Sequence, residues 1–90
     1  MNFSEALDLI KQGKKLTRTN WNGKGMFVYL VSGSRFVVNR APLNAIYSEG
    51  TEINYRPHID LKAADGTCGV WSISNNDALA DDWIEIVYDI

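Results

Sequence analysis

Phe3, Ala6, Leu7 and Ile10 fall at i, i+3, i+4 and i+7 and lay one apolar stripe along a short helix at the start of the chain. Asn2 followed by Glu5 has capping-box spacing, while Lys11 and then Gly13 supply a basic last turn and a residue suited to the stop. A helix this short does not hold itself together in water, so its stripe must cover something. Beyond Gly13 the pattern reads as strand, and the constraint is one helix laid on a sheet.

Residues 14–18 are a short strand candidate. Residues 26–31 are a nearly continuous apolar and aromatic run, bounded by the Trp21-Asn22-Gly23-Lys24-Gly25 turn and by Ser32-Gly33-Ser34. Residues 35–39 are its expected hairpin partner, with Phe36, Val37 and Val38 supplying β-prone bulk. Residues 41–50 form a loop around Pro42, and residues 53–56 alternate, so that Arg56 and Tyr55 face opposite ways. Pro57 limits pairing, and residues 58–62 resume as an edge strand. Asp65-Gly66 is a hairpin turn into residues 67–72, residues 74–80 make a short helical turn, and residues 83–88 close the sheet with Trp83 in the core. The expected fold is α+β, an N-terminal anchoring helix packed on an antiparallel β-sheet, as a single small domain over residues 1–90.

A 90-residue domain buries a modest share of its surface, which makes self-association an expected source of stability. A net charge of −2 argues against a nucleic-acid polymer as partner, since those call for a basic footprint. No run reaches the roughly 18 to 20 apolar residues of a membrane span, and the first residues lack a signal-peptide pattern. Cys68 is the sole cysteine and reads as a small buried apolar residue in a reducing compartment. The charges are polarised, with +5 over residues 1–45 and −7 over residues 46–90. Either a small anion meets the basic half, or the halves interleave in the fold and compensate.

Chemistry is poorly provided for. His58 and Cys68 are the only imidazole and thiol, and no metal-ligand spacing, phosphate loop or nucleophile elbow appears, so neither a catalytic residue, a metal nor a cofactor is expected. His58 reads as a surface or interface residue, and the pair Asp81-Asp82 as a solvated turn. Binding is better served. Trp21 and Trp71 lie in glycine-bearing surroundings, and each can cover one face of a base, a contact worth roughly 1 to 3 kcal/mol. Arg56 can read a base edge, Thr17 and Arg18 can hold phosphate, and Asn39 and Asp77 can accept from ribose hydroxyls. The rival readings are a core Trp21, a loop-satisfying Asn39, and a helix cap made by Ser74 with Asp77.

The order NFSEALDLIKQGKK, R-x-x-W-N-G-K-G-M-F-V-Y-L, G-T-E-I-N-Y-R-P-H-I-D-L-K-A-A-D-G-T and D-D-W-I-E-I-V resembles the second Thoeris anti-defence family of bacteriophage proteins over nearly the whole chain. The resemblance implies a sponge in the host bacterial cytoplasm that sequesters, without cleaving, a cyclic ADP-ribose-type nucleotide, chiefly the 1''-3' glycocyclic isomer. It implies a homotetramer with pockets at subunit seams. It also implies adenine between Trp21 and Trp71 with Arg56 at its edge, Asn39 and Asp77 on a ribose, and Thr17, Arg18 and Ser74 on the diphosphate. Some relatives are similar in also binding cyclic dinucleotides, at a separate site between dimers.

Overall fold

A computed structural model describes residues 1–21 and 25–87. Helix α1 (Phe3–Lys11) opens the chain with the expected capping box, the Asn2 side chain accepting from the Glu5 amide at 2.9 Å and Glu5 accepting from the Asn2 amide at 3.1 Å. It stops at Gly13, whose φ of 89° is the left-handed conformation that glycine adopts without a Cβ clash. Strands β1 (Lys15–Arg18), β2 (Phe27–Val31), β3 (Ser34–Val37), β4 (Glu52–Tyr55), β5 (His58–Lys62) and β6 (Cys68–Val70) come next. A 3-10 turn (Leu43–Ala45) lies between β3 and β4, and helix α2 (Asn75–Leu79) and strand β7 (Trp83–Ile86) complete the described chain. The α+β expectation holds: α1 lies on a five-stranded antiparallel sheet ordered β6-β5-β2-β1-β7, beside a two-stranded sheet of β3 and β4.

The sheet's covered face carries the core. Leu16, Val28 and Trp83 are fully buried against Ala6 and Ile10 of α1, with Phe3, Leu9, Leu30, Ile59 and Leu61 packed around them. Leu9 thus joins the helix's apolar stripe. Burying side chains of this size contributes roughly 1.5 to 3 kcal/mol each, and α1 is held by this layer rather than by its own propensity.

Three expectations need correcting. Residues 35–39 are not the hairpin partner of β2: β2 pairs with β5 and β3 with β4. Val31 faces His58 and Ser34 faces Tyr55, so Ser32 and Gly33 stand against Arg56 and Pro57 with nothing inserted. The two sheets are therefore one long antiparallel ribbon broken at a waist. A Cβ on Gly33 would come within 2.5 Å of the Tyr55 carbonyl oxygen, so the Gly-Ser cluster that resembles a turn is a close backbone crossing. Secondly, β5 is no edge strand; it sits between β2 and β6, and Pro57 withholds its amide at the waist instead. Thirdly, Cys68 is exposed, because β6 is an outer strand of the sheet.

Beyond the waist the ribbon projects as an arm. The radius of gyration is 16.2 Å, against about 12 Å for a compact domain of this length, and the long axis is 47 Å. Of the arm's apolar residues only Val38 is fully buried, while Val37, Ile46, Tyr47 and Tyr55 are exposed. Asn22, Gly23, Lys24 and the expected strand end at Tyr88 lie outside the described residues, and no helix among those described is long and apolar enough to cross a membrane.

Candidate functional site

Trp83 organises one end of the molecule. It is fully buried, and the rings of Trp21 and Trp71 meet it edge-on, with centroids at 5.3 and 6.0 Å and interplanar angles of 77° and 78°. Phe3 tilts against both Trp71 and Trp83, which connects the cluster to α1. Both outer indoles are half-buried. Edge-to-face packing leaves the ring faces differently used from the edges, and an indole seated this way is rigid.

Asp77, on α2, is the polar hub. Its Oδ1 accepts from Arg18 Nη1 at 2.8 Å and from Trp21 Nε1 at 3.0 Å, and its backbone carbonyl accepts from Trp83 Nε1 at 2.9 Å. The Asp77 amide donates to Ser74 Oγ at 3.1 Å, so the helix-cap reading of Ser74 is realised. Arg18 Nε donates to Asp82 Oδ1 at 2.7 Å, while Asp82 Oδ2 accepts from Thr19 Oγ1 at 3.1 Å and the Asn20 amide at 2.9 Å. A turn, a strand end, a helix and the link into β7 are tied by two carboxylates and one guanidinium.

The electrostatics come from these contacts. Burial pushes the Asp77 carboxyl up, but the bonds from Arg18, Trp21 and Ser74 outweigh it and hold the group below the usual carboxylate range. Asp82 is also held low, first by the Arg18 bond and against some burial. Arg18 is raised by its bonds to Asp82 and Asp77. All three groups are charged together and sum to a formal −1, with the Arg18 side chain 12% exposed. The polarised halves of the sequence interleave here, since Arg18 belongs to the basic half and both carboxylates to the acidic one.

The structure gathers Arg18, Trp21, Trp71, Ser74 and Asp77 around Trp83, and leaves the other candidates elsewhere. Thr17 precedes Arg18 on β1 and pairs with Ile84, which strand alternation puts on the opposite face of the sheet. Arg56 is exposed at the waist. Asn39 is exposed on the arm, in the lining of a cavity of about 410 Å³ formed by Phe36 to Leu43. Asp82 was not among the sequence candidates, and no local pattern marks it: its partner Arg18 lies 64 positions away.

Among the described residues no helix lies on the sheet's other face. There the ammonium groups of Lys15 and Lys62 lie 5.4 and 5.5 Å from the Phe27 ring centroid, Tyr29 packs on Phe27, and with Cys68 these residues line a second cavity of about 430 Å³. The Tyr29 phenol is pushed up to about 12 by its hydrogen bond with Cys68 and by burial. His58 Nε2 is 3.1 Å from Asp60 Oδ1, an ion pair when the imidazole is protonated.

Comparison with known proteins matches residues 1–86 to the model of the Thoeris anti-defense 2-like domain. The chain is also 36% identical over 86 residues to Thoeris anti-defense 2 of Bacillus phage SP01, a match covering 92% of this chain and 91% of that protein. With helix, sheet, aromatic cluster and carboxylate hub all inside the matched span, the chain belongs to the Thoeris anti-defense 2 family.

Proposed function

We propose that this chain is a phage anti-defence sponge: it binds a cyclic ADP-ribose-type nucleotide made by bacterial Thoeris immunity, chiefly the 1''-3' glycocyclic isomer, and sequesters it uncleaved in the host bacterial cytoplasm. The carrying observation is the pair of half-buried indoles, Trp21 and Trp71, fixed on Trp83 beside the Asp77 carboxylate, within a family match that runs almost end to end. The relative's role against Thoeris supports the anti-defence reading.

To outcompete a receptor for a scarce signal the sponge needs a dissociation constant near nanomolar, about −12 kcal/mol. Two stacks at roughly 1 to 3 kcal/mol each leave a shortfall that charged hydrogen bonds must fill. Within one chain the nearest guanidinium, Arg18, is already matched by two carboxylates. Arg56 at the adenine edge, from the waist, and Asn39 on a ribose, from the arm, therefore come from a neighbouring copy, while Asp77 serves the ribose from the cluster. Ser74 reaches the diphosphate from its cap position, Arg18 meets it with the donors its carboxylates leave, and Thr17 acts only across a seam. The reading accordingly includes a homotetramer, supported by the projecting arm and its exposed Val37, Ile46, Tyr47 and Tyr55.

The test is incubation with a panel of cyclic ADP-ribose isomers and cyclic dinucleotides, removal of unbound material, and mass spectrometry of what heat releases. Intact cyclic ADP-ribose-type nucleotide is the expected result. A linear product would make the protein an enzyme, and retention of nothing, or of a cyclic dinucleotide alone, would overturn the reading.

A further inference from the structure

The Asp77 Oδ1 atom carries two donors at once, the Arg18 guanidinium at 2.8 Å and the Trp21 indole N–H at 3.0 Å. Each Oδ1 lone pair takes one donor, and Arg18 gives Asp77 only Nη1, whereas a guanidinium free to turn takes up the planar bidentate pair it prefers with a carboxylate. Asp82 takes the other edge of Arg18, accepting from Nε at 2.7 Å, and so sets the guanidinium in that one-point contact. Its other oxygen holds Thr19 and Asn20, the residues directly before Trp21, and its carbonyl accepts the Thr19 amide at 3.2 Å. The Trp21 amide in turn donates to the Arg18 carbonyl at 3.2 Å. Both the backbone approach to Trp21 and the bond that orients its indole thus run through one side chain.

We propose that Asp82 is the positioning residue of the ligand site: it touches no ligand, and it sets where the Trp21 indole stands by dividing Arg18 between two carboxylates. As far as affinity is concerned this rests on the nucleotide-sponge reading, while the placement of the indole does not. Its two oxygens are committed to Arg18, Thr19 and Asn20, which leaves the group an internal strut. Asp77 then differs from Asp82 in kind, because Asp77 meets the indole directly.

The variant Asp82→Asn, with tryptophan indoles labelled by nitrogen-15, tests the proposal. The Trp21 indole resonance should move and lose exchange protection. That of Trp83, bonded to the Asp77 backbone carbonyl, should stay. By calorimetry the affinity for 1''-3' glycocyclic ADP-ribose should fall about tenfold, and by less than about twofold when Trp21→Ala is already present, because a residue acting through Trp21 is not additive with it. An unmoved Trp21 resonance, or equal loss in both backgrounds, overturns the proposal. If Asp82→Asn does not fold, Asp82→Glu keeps the charge, displaces it by one methylene, and should move the same resonance. If the wild-type protein binds no nucleotide, the sponge reading fails and the indole resonance still decides the positioning role.

Discussion

The body and the arm of this molecule are two lengths of the same antiparallel ribbon with opposite fates. Before the waist, Val28 and Leu30 of β2 lie under α1 and join a core around Trp83; beyond it, neither α1 nor α2 lies on β3 and β4 among the described residues, and Val38, just past β3, is the arm's fully buried apolar residue. Register and β-prone composition continue unchanged across Ser32 and Gly33, so the difference does not come from the strands themselves. A sheet is stabilised by what covers its face, and a two-stranded ribbon with neither face covered is marginal in water. The body has its cover within the chain, whereas the arm leaves tyrosine, valine and isoleucine exposed.

The sharpest way to break the contrast is in the core. Trp83→Ala should cost about 3 to 5 kcal/mol in chemical denaturation, since it opens a cavity between Phe3, Trp21 and Trp71. Tyr55→Ala on the arm should stay within about 1 kcal/mol in the same measurement at high dilution. Equal losses would mean that the arm is as well covered as the body.

Next come the indoles at the rim. Trp21→Ala or Trp71→Ala should weaken nucleotide binding more than tenfold, in keeping with roughly 1 to 3 kcal/mol per stack, while circular dichroism stays native. Calorimetry with unchanged affinity in both would remove the stacking model. A smaller effect separates the two ion pairs. Arg18→Gln should lower the unfolding midpoint clearly, because it strands two carboxylates beside Trp83. Arg35→Gln on the arm removes a pair that is 72% and 50% exposed, and should cost no more than about 0.2 to 1 kcal/mol.

Acid gives the mildest test. Asp77 and Asp82 are depressed in the fold, so their contribution is present above the ordinary carboxylate value of about 3.9 and is lost as pH falls through their lower folded values. Arg18 is raised and stays charged throughout. Thermal unfolding should therefore show no loss from this cluster at neutral pH and a decline below about pH 4, a decline that Arg18→Gln shrinks. A wild-type decline of the same size in Arg18→Gln would detach the carboxylates from the guanidinium.

Much of the body was legible because its signals are local. The helix stripe, the capping box at Asn2 and Glu5, the Asp65-Gly66 turn and the buried Trp83 depend on residues a few positions apart. The arm was misread for the same reason: Ser32-Gly33-Ser34 has the composition of a hairpin turn, and only the crossing of the Tyr55 carbonyl over Gly33 shows it to be a waist. Of the site, the residues themselves offered Arg18, Trp21, Trp71 and Asp77 as types fit for a nucleotide, and Ser74 as a cap; only the family resemblance brought Ser74 to a ligand and the two indoles to one base, and no local pattern says that they meet. The sequence left Thr17 without a face, and it took Asp82 for a solvated turn.

By itself, then, the sequence determined the elements, the core tryptophan and the family, since periodicity, capping and residue order are carried along the chain. Tertiary structure alone decided that β2 finds β5, that an arm projects, and that Arg18 is shared by Asp77 and Asp82 across 59 and 64 positions. Those choices are made by which surfaces gain cover and which charges gain partners once the chain is compact. No local pattern records that competition.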